Sequence, residues 1–104
     1  VKDGNGGKWM QRLYPRTKFA DMATLEQQFE HVREEFIEAV KADGRGERDE
    51  ELADLEHSIQ TYFDIRAKQG IDVDGVRQAV IEKNKRRGYY AVIQAGRADR
   101  RRKP

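Results

Sequence analysis

Residues 24 to 40, TLEQQFEHVREEFIEAV, decide the fold class. Leu25, Phe29, Val32, Phe36 and Val40 recur at steps of four, three, four and four, the spacing that aligns side chains on one stripe of an α-helix. Thr24 stands where an N-cap is needed and Gln27 follows three residues later, so hydroxyl and amide can each satisfy a backbone N–H of the first turn. Gly44 and Gly46 are expected to end this helix.

Working outward, a second helix is expected from about Glu47 to Lys68, with acidic residues in its first turn and Gly70 as its terminator. Leu52, Leu55, Ile59, Tyr62 and Phe63 make its apolar face. A third helix should begin after Asp72 or Asp74, carry Val76, Val80 and Ile81 inward, and stop at Gly88. Upstream, three glycines within residues 3–7 read as loop, followed by a short helix around Lys8 to Tyr14 and a break at Pro15. Those glycines and Lys8 do not make a phosphate loop, because the GxxxxGK[ST] spacing is absent. Asp72 to Gly75 begins like a calcium loop, but Lys83 stands where the bidentate Glu is required.

The 104 residues fit one domain, and near-equal apolar and charged fractions, 37% and 38%, favour amphipathic helices over buried parallel strands. The expected division is an N-terminal loop and short helix over 1–18, a helical domain over 19–96 and a basic tail over 97–104. Three such helices form a thin bundle whose apolar stripes stay partly uncovered in a monomer, so self-association is expected. No apolar run approaches the roughly 20 residues of a membrane-spanning helix, and Val1-Lys2-Asp3-Gly4 is no apolar secretory core; a cytoplasmic protein with no membrane partner is expected. With no Cys, disulfides, thiolate metal sites and cysteine nucleophiles are excluded, and any metal must be held by oxygen or imidazole. The net charge of +2 hides a segregation: residues 1–18 and 97–104 each carry +4, leaving −6 for residues 19–96. The arginine-rich tail reads as a solvated end, and nucleic acid is not the expected partner.

The acids sit in a pattern relative to the apolar stripes. At 100° per residue, Glu35 lies about 100° from Phe36, with Glu38 about 60° further round, while Glu34 points away. On the second helix Glu51 and Asp54 also fall on one flank, three residues apart. If the helices pack antiparallel across their short connection, Glu35, Glu38, Glu51 and Asp54 surround one volume. Two such charges about 4 Å apart cost roughly 4 kcal/mol at an effective dielectric near 20. Cations or bound protons must offset that repulsion, and Mg²⁺, or Mn²⁺, is the oxygen-liganded partner that suits four carboxylates. The alternative is solvated helix surface.

These residues resemble the signature of the MazG-like all-α nucleoside triphosphate pyrophosphohydrolases, EExxE followed by ExxD. Here it reads Glu34-Glu35-Phe36-Ile37-Glu38, twelve residues, then Glu51-Leu52-Ala53-Asp54, a spacer at the short end of the family's range. The later segment Glu82 to Tyr90 is similar to the family's third-helix ending. The resemblance implies an all-α, MazG-like helical bundle completed by oligomerisation, as a homodimer or homotetramer. It also implies Mg²⁺-dependent hydrolysis of a nucleoside triphosphate, an NTP or dNTP, to the monophosphate and pyrophosphate. By position it makes Glu35, Glu38, Glu51 and Asp54 metal ligands, with Glu34 assisting the attacking water. Lys83, Asn84 and Arg87 become candidates for phosphate contact, set against a role as neutralising or snorkelling cations. His31, four residues before Glu35, is a candidate for base or sugar contact; His57 reads as surface. Trp9 and Tyr14 either stack on a nucleobase or cap the bundle. The rivals are a phosphoribosyl-ATP pyrophosphohydrolase and a non-catalytic helical module that grips nucleic acid or a protein through its basic ends.

Overall fold

The computed structural model describes residues 12–91, and every regular element among them is helical: α1 (Phe19–Met22), α2 (Leu25–Lys41), α3 (Arg45–Lys68) and α4 (Val73–Arg86). The chain divides into two compact units, Val1–Ile71 with α1 to α3 and Asp72–Pro104 with α4. None of the helices of the described residues is long and apolar enough to cross a membrane.

In the first unit α2 starts as its sequence indicates. Thr24 Oγ1 accepts the Gln27 N–H at 3.0 Å and Gln27 Oε1 accepts the Thr24 N–H at 2.8 Å. The helix ends at Lys41, and α3 begins at Arg45 after Gly44, whose φ of +84° is one that other residues rarely adopt. Gly46 therefore does not end α2; it lies in the first turn of α3, where N–H groups have no intrahelical partner and glycine's helical disadvantage is least felt. So short a connection folds α2 and α3 into an antiparallel hairpin. Its register is set by Gln28, whose Nε2 donates to the Ser58 carbonyl at 3.0 Å and to Ser58 Oγ at 3.1 Å. Seven residues on from Gln28 and seven back from Ser58, Glu35 faces Glu51.

The seam is not the stripe that the apolar periodicity picks out. Phe29, Phe36 and Val40 are 59%, 55% and 68% exposed, whereas Gln28 and Ala39 on α2 and Ser58, Thr61 and Ile65 on α3 are buried. The inward line of α2 runs Leu25, Gln28, Val32, Glu35, Ala39, rotated from the expected one by about 60° towards Glu35. Small or hydrogen-bonded side chains fill this seam: Gln28 bonds Ser58 across it, and Thr61 Oγ1 meets Thr17 Oγ1 at 3.0 Å. Buried polar groups are tolerated when so paired. The bulky residues are displaced to one flank, where the Phe29 and Tyr62 rings lie 6.0 Å apart and Phe36, Val40, Leu52 and Ile59 remain exposed.

The opposite flank of α3 is covered by the chain leading into α1. Of the expected helix around Lys8 to Tyr14, residues 8–11 lie outside the described residues and 12–14 are not helical. Gln60 grips the Tyr14 backbone instead, accepting its N–H at 3.2 Å and donating to its carbonyl at 2.7 Å. Arg12 makes a two-pronged pair with Asp64 at 3.0 and 2.8 Å, and Asp21 accepts from Arg16 and Lys68, both at 2.9 Å. The short α1 that follows has too few residues to leave a periodic signal.

Gly70, at φ +92°, ends α3: its N–H bonds the Ala67 carbonyl and the Ile71 N–H bonds that of Arg66. In the second unit Asp72 caps α4, its Oδ1 accepting the Gly75 N–H at 3.0 Å. Val76, Val80 and Ile81, read as inward-facing, are exposed, and α4 buries none of its residues.

Candidate metal centre

The hairpin register and the i, i+3 spacing on α3 bring Glu35, Glu51 and Asp54 together, with one carboxylate oxygen from each lying within 4.8 Å of the others. Glu35 and Glu51 are half-buried in the seam and Asp54 is exposed at its edge. Glu38 is exposed and outside this trio, although its charge reaches Glu51. Burial first, then the charges of Asp54, Glu35, Glu38 and Glu47, hold the Glu51 carboxyl above the ordinary 4.5. Among the described residues no Lys or Arg pairs with Glu35, Glu38, Glu51 or Asp54. Among the described residues the cluster is thus negative, with no Lys or Arg paired to it, and it is supported on two helices.

The donor set fits a hard divalent cation. Three carboxylates from rigid elements, with no thiolate and no imidazole among them, match the oxygen preference of Mg²⁺ and Mn²⁺. Mg²⁺ keeps octahedral geometry with several positions left to water or phosphate oxygens, so an incomplete protein shell is the usual arrangement.

Around the trio, His31 Nε2 lies 3.4 Å from Glu35 Oε2 and its Nδ1 lies 3.9 Å from Glu34 Oε1. Glu34 faces outward, its side chain 61% exposed against 20% for Glu35. This separates the adjacent glutamates as helical geometry requires, Glu35 in the seam and Glu34 in solvent. His31 also lines a cavity of about 220 Å³ with Phe19, Ala23, Gln27 and Gln28.

Two aromatic expectations change. His57 is not a free surface residue: it is half-buried, stacks on Tyr14 with ring centroids 4.6 Å apart, and its Nε2 lies 3.2 Å from the Pro15 carbonyl. Tyr14 is committed to that stack, and its hydroxyl donates to Glu56 at 2.8 Å, which raises the phenol's pKa. Trp9 lies outside the described residues. Sequence reading missed Phe19, Gln28, Ser58 and Thr61. The available signal was the 25, 28, 32, 35, 39 spacing, a second helical stripe that passes through both Gln28 and Glu35.

In the second unit Lys83 is exposed and Asn84 half-buried at the end of α4. Arg87 Nη1 donates to Asn84 Oδ1 at 3.4 Å, and its guanidinium lies over the Tyr89 ring, 4.5 Å from the centroid.

The chain matches no family model, no curated protein and no solved structure.

Proposed function

We propose that this protein is a Mg²⁺-dependent nucleotide pyrophosphohydrolase that converts an NTP or dNTP to the monophosphate and pyrophosphate. The observation that carries the reading is the convergence of Glu35 from α2 with Glu51 and Asp54 from α3, at the spacing that the MazG-like signature requires. These three would hold the ion. Bound there, Mg²⁺ supplies positive charge to the phosphate oxygens and favours ionisation of the attacking water. Glu38 and Glu34, outside the trio, are the carboxylates left to accept that water's proton. His31, in reach of both Glu34 and Glu35, orients them. Lys83, Asn84 and Arg87 are the groups on α4 suited to phosphate oxygens.

We further propose a homodimer or homotetramer. The flank carrying Phe29, Phe36, Val40, Leu52 and Ile59 is exposed, and contiguous apolar surface of this kind is what association covers.

Pyrophosphate release from a panel of NTPs, dNTPs and phosphoribosyl-ATP, with and without chelator, tests the reaction. Release that stops with chelator is expected. Turnover confined to phosphoribosyl-ATP would reassign the substrate. Inertness towards the whole panel, together with polyanion binding that is steeply salt-dependent and indifferent to Mg²⁺, would replace the enzyme with a binding module.

A further inference from the structure

Gln28 is a long polar side chain in the middle of a helix seam, 4% exposed. Its amide orientation is settled by its partners. The Ser58 carbonyl can only accept, so the atom 3.0 Å from it is the NH₂ group, which also meets Ser58 Oγ at 3.1 Å. The other end of the amide, Oε1, receives no donor among the described residues. A buried carbonyl oxygen without a donor is uncommon, and it asks what fills the adjacent space.

Beside Gln28 lies a pocket of about 220 Å³, open to solvent, which it lines with Phe19, Ala23, Gln27 and His31. The pocket opens to solvent and its lining is mostly apolar, so the water in it is loosely held and readily displaced. The Gln27 carbonyl oxygen is already engaged at the Thr24 N–H, and much of the lining is the Phe19 ring and Ala23. A planar group with apolar faces and one N–H edge matches better: its faces meet the rings and its edge meets Oε1. The cavity also communicates with the acids through one side chain, since His31 lines it and lies 3.4 Å from Glu35. A ligand with a heterocycle at one end and anionic groups at the other spans the two.

We infer that the cavity receives the nucleobase, that Gln28 Oε1 selects it by accepting a ring or exocyclic N–H, and that Ser58 is a positioning residue that prevents the amide from turning over. Naming the heterocycle as a nucleobase rests on the hydrolase reading; the acceptor and its fixed orientation do not. Gln28 is a specificity determinant because a fixed acceptor rejects a base edge that offers no donor.

Nucleosides test this without phosphate or metal. The full-length protein in EDTA is titrated with adenosine, cytidine, guanosine and uridine while the side-chain amide signal of Gln28 is followed by ¹H–¹⁵N NMR, assigned by its loss in Gln28→Leu. The strongest binder is then compared with its analogue methylated at the donor nitrogen. Expected are a shift of the Gln28 amide and a loss of about tenfold or more in affinity on methylation, of the order set by one hydrogen bond to a buried acceptor. Gln28→Leu should abolish the discrimination, whereas Ser58→Ala, which keeps the backbone carbonyl that orients the amide, should preserve it; melting curves report whether each variant folds. No nucleoside affecting Gln28, equal binding of the methylated form, or unchanged discrimination in Gln28→Leu would overturn the inference. Nucleoside binding with no pyrophosphate release from any nucleotide sinks the hydrolase reading alone. Pyrophosphate release with base preference indifferent to Gln28→Leu sinks this one alone.

Discussion

Among the described residues Ile65 is the one large aliphatic residue that is buried, 6% exposed; the others buried with it in this unit are Ala20, Ala39, Gln28, Ser58 and Thr61. Truncating it to alanine removes three carbons, about 2.4 kcal/mol at roughly 0.8 kcal/mol per buried methylene. A residual cavity brings the cost to about 3 kcal/mol. Against the ~5–15 kcal/mol typical of a whole domain that is a large share. At roughly 4–8 °C per kcal/mol for a domain of this size, it lowers Tm by about 12–24 °C. Far-UV circular dichroism through thermal and urea unfolding measures it, at one fixed protein concentration because association makes Tm concentration-dependent. The urea slope should stay constant, showing that stability and not compactness changed. Val40→Ala is the informative partner. A core on the apolar stripe would make Val40 as costly as Ile65, but at 68% exposure its truncation should stay within about 0.5 kcal/mol in dilute protein. A loss under about 1 kcal/mol for Ile65→Ala, or a larger one for Val40→Ala, would refute the polar seam as the source of stability.

The acid cluster yields two further expectations. Saturating Mg²⁺ should raise Tm in the wild type, by the equivalent of about 2.7 kcal/mol at a hundredfold excess over Kd, and not in Glu51→Gln; equal shifts in both would disprove the ligand assignment. Without metal, Glu51→Gln should stabilise the fold at neutral pH. With the folded carboxyl held above 4.5, its contribution is fully present below 4.5 and lost as pH rises through the folded value, so the variant's advantage should vanish in acid. Asp21 has the opposite sign. Hydrogen bonds from Arg16, then Lys68, hold it below 3.8, so its contribution is present above 3.8 and lost as pH falls through the folded value; Asp21→Asn should be less stable than wild type at pH 7 and equal to it at low pH. Finally, Phe36→Glu should shift sedimentation velocity profiles toward the monomer while leaving helix content intact. An unchanged oligomer would place the interface elsewhere.

The acidic cluster was more legible in the sequence than the core. Glu35, Glu51 and Asp54 could be brought together because helical spacing and a short connection are local properties, and a hairpin turns local spacing into contact. Glu38 was grouped with them by its i, i+3 relation to Glu35; it lies a further 60° round the helix from Glu35, on the solvent side, and the finished trio leaves it at the rim. The rotation of the seam towards Glu35 exposed Phe29 and Phe36 and buried Gln28. Periodicity reports which residues are apolar and cannot report which of two adjacent stripes a neighbouring helix will occupy.

Taken alone, the sequence determined the three longer helices and the Thr24 cap, because propensity and capping chemistry act within a few residues; it left α1 unread and made the antiparallel hairpin a condition of packing. Only the tertiary structure decided which face closed. That choice turns on whether Gln28 finds Ser58, 30 residues away, and whether Thr61 finds Thr17. Pairings of that kind depend on three-dimensional proximity, and they set the depth at which Glu35 and Glu51 sit.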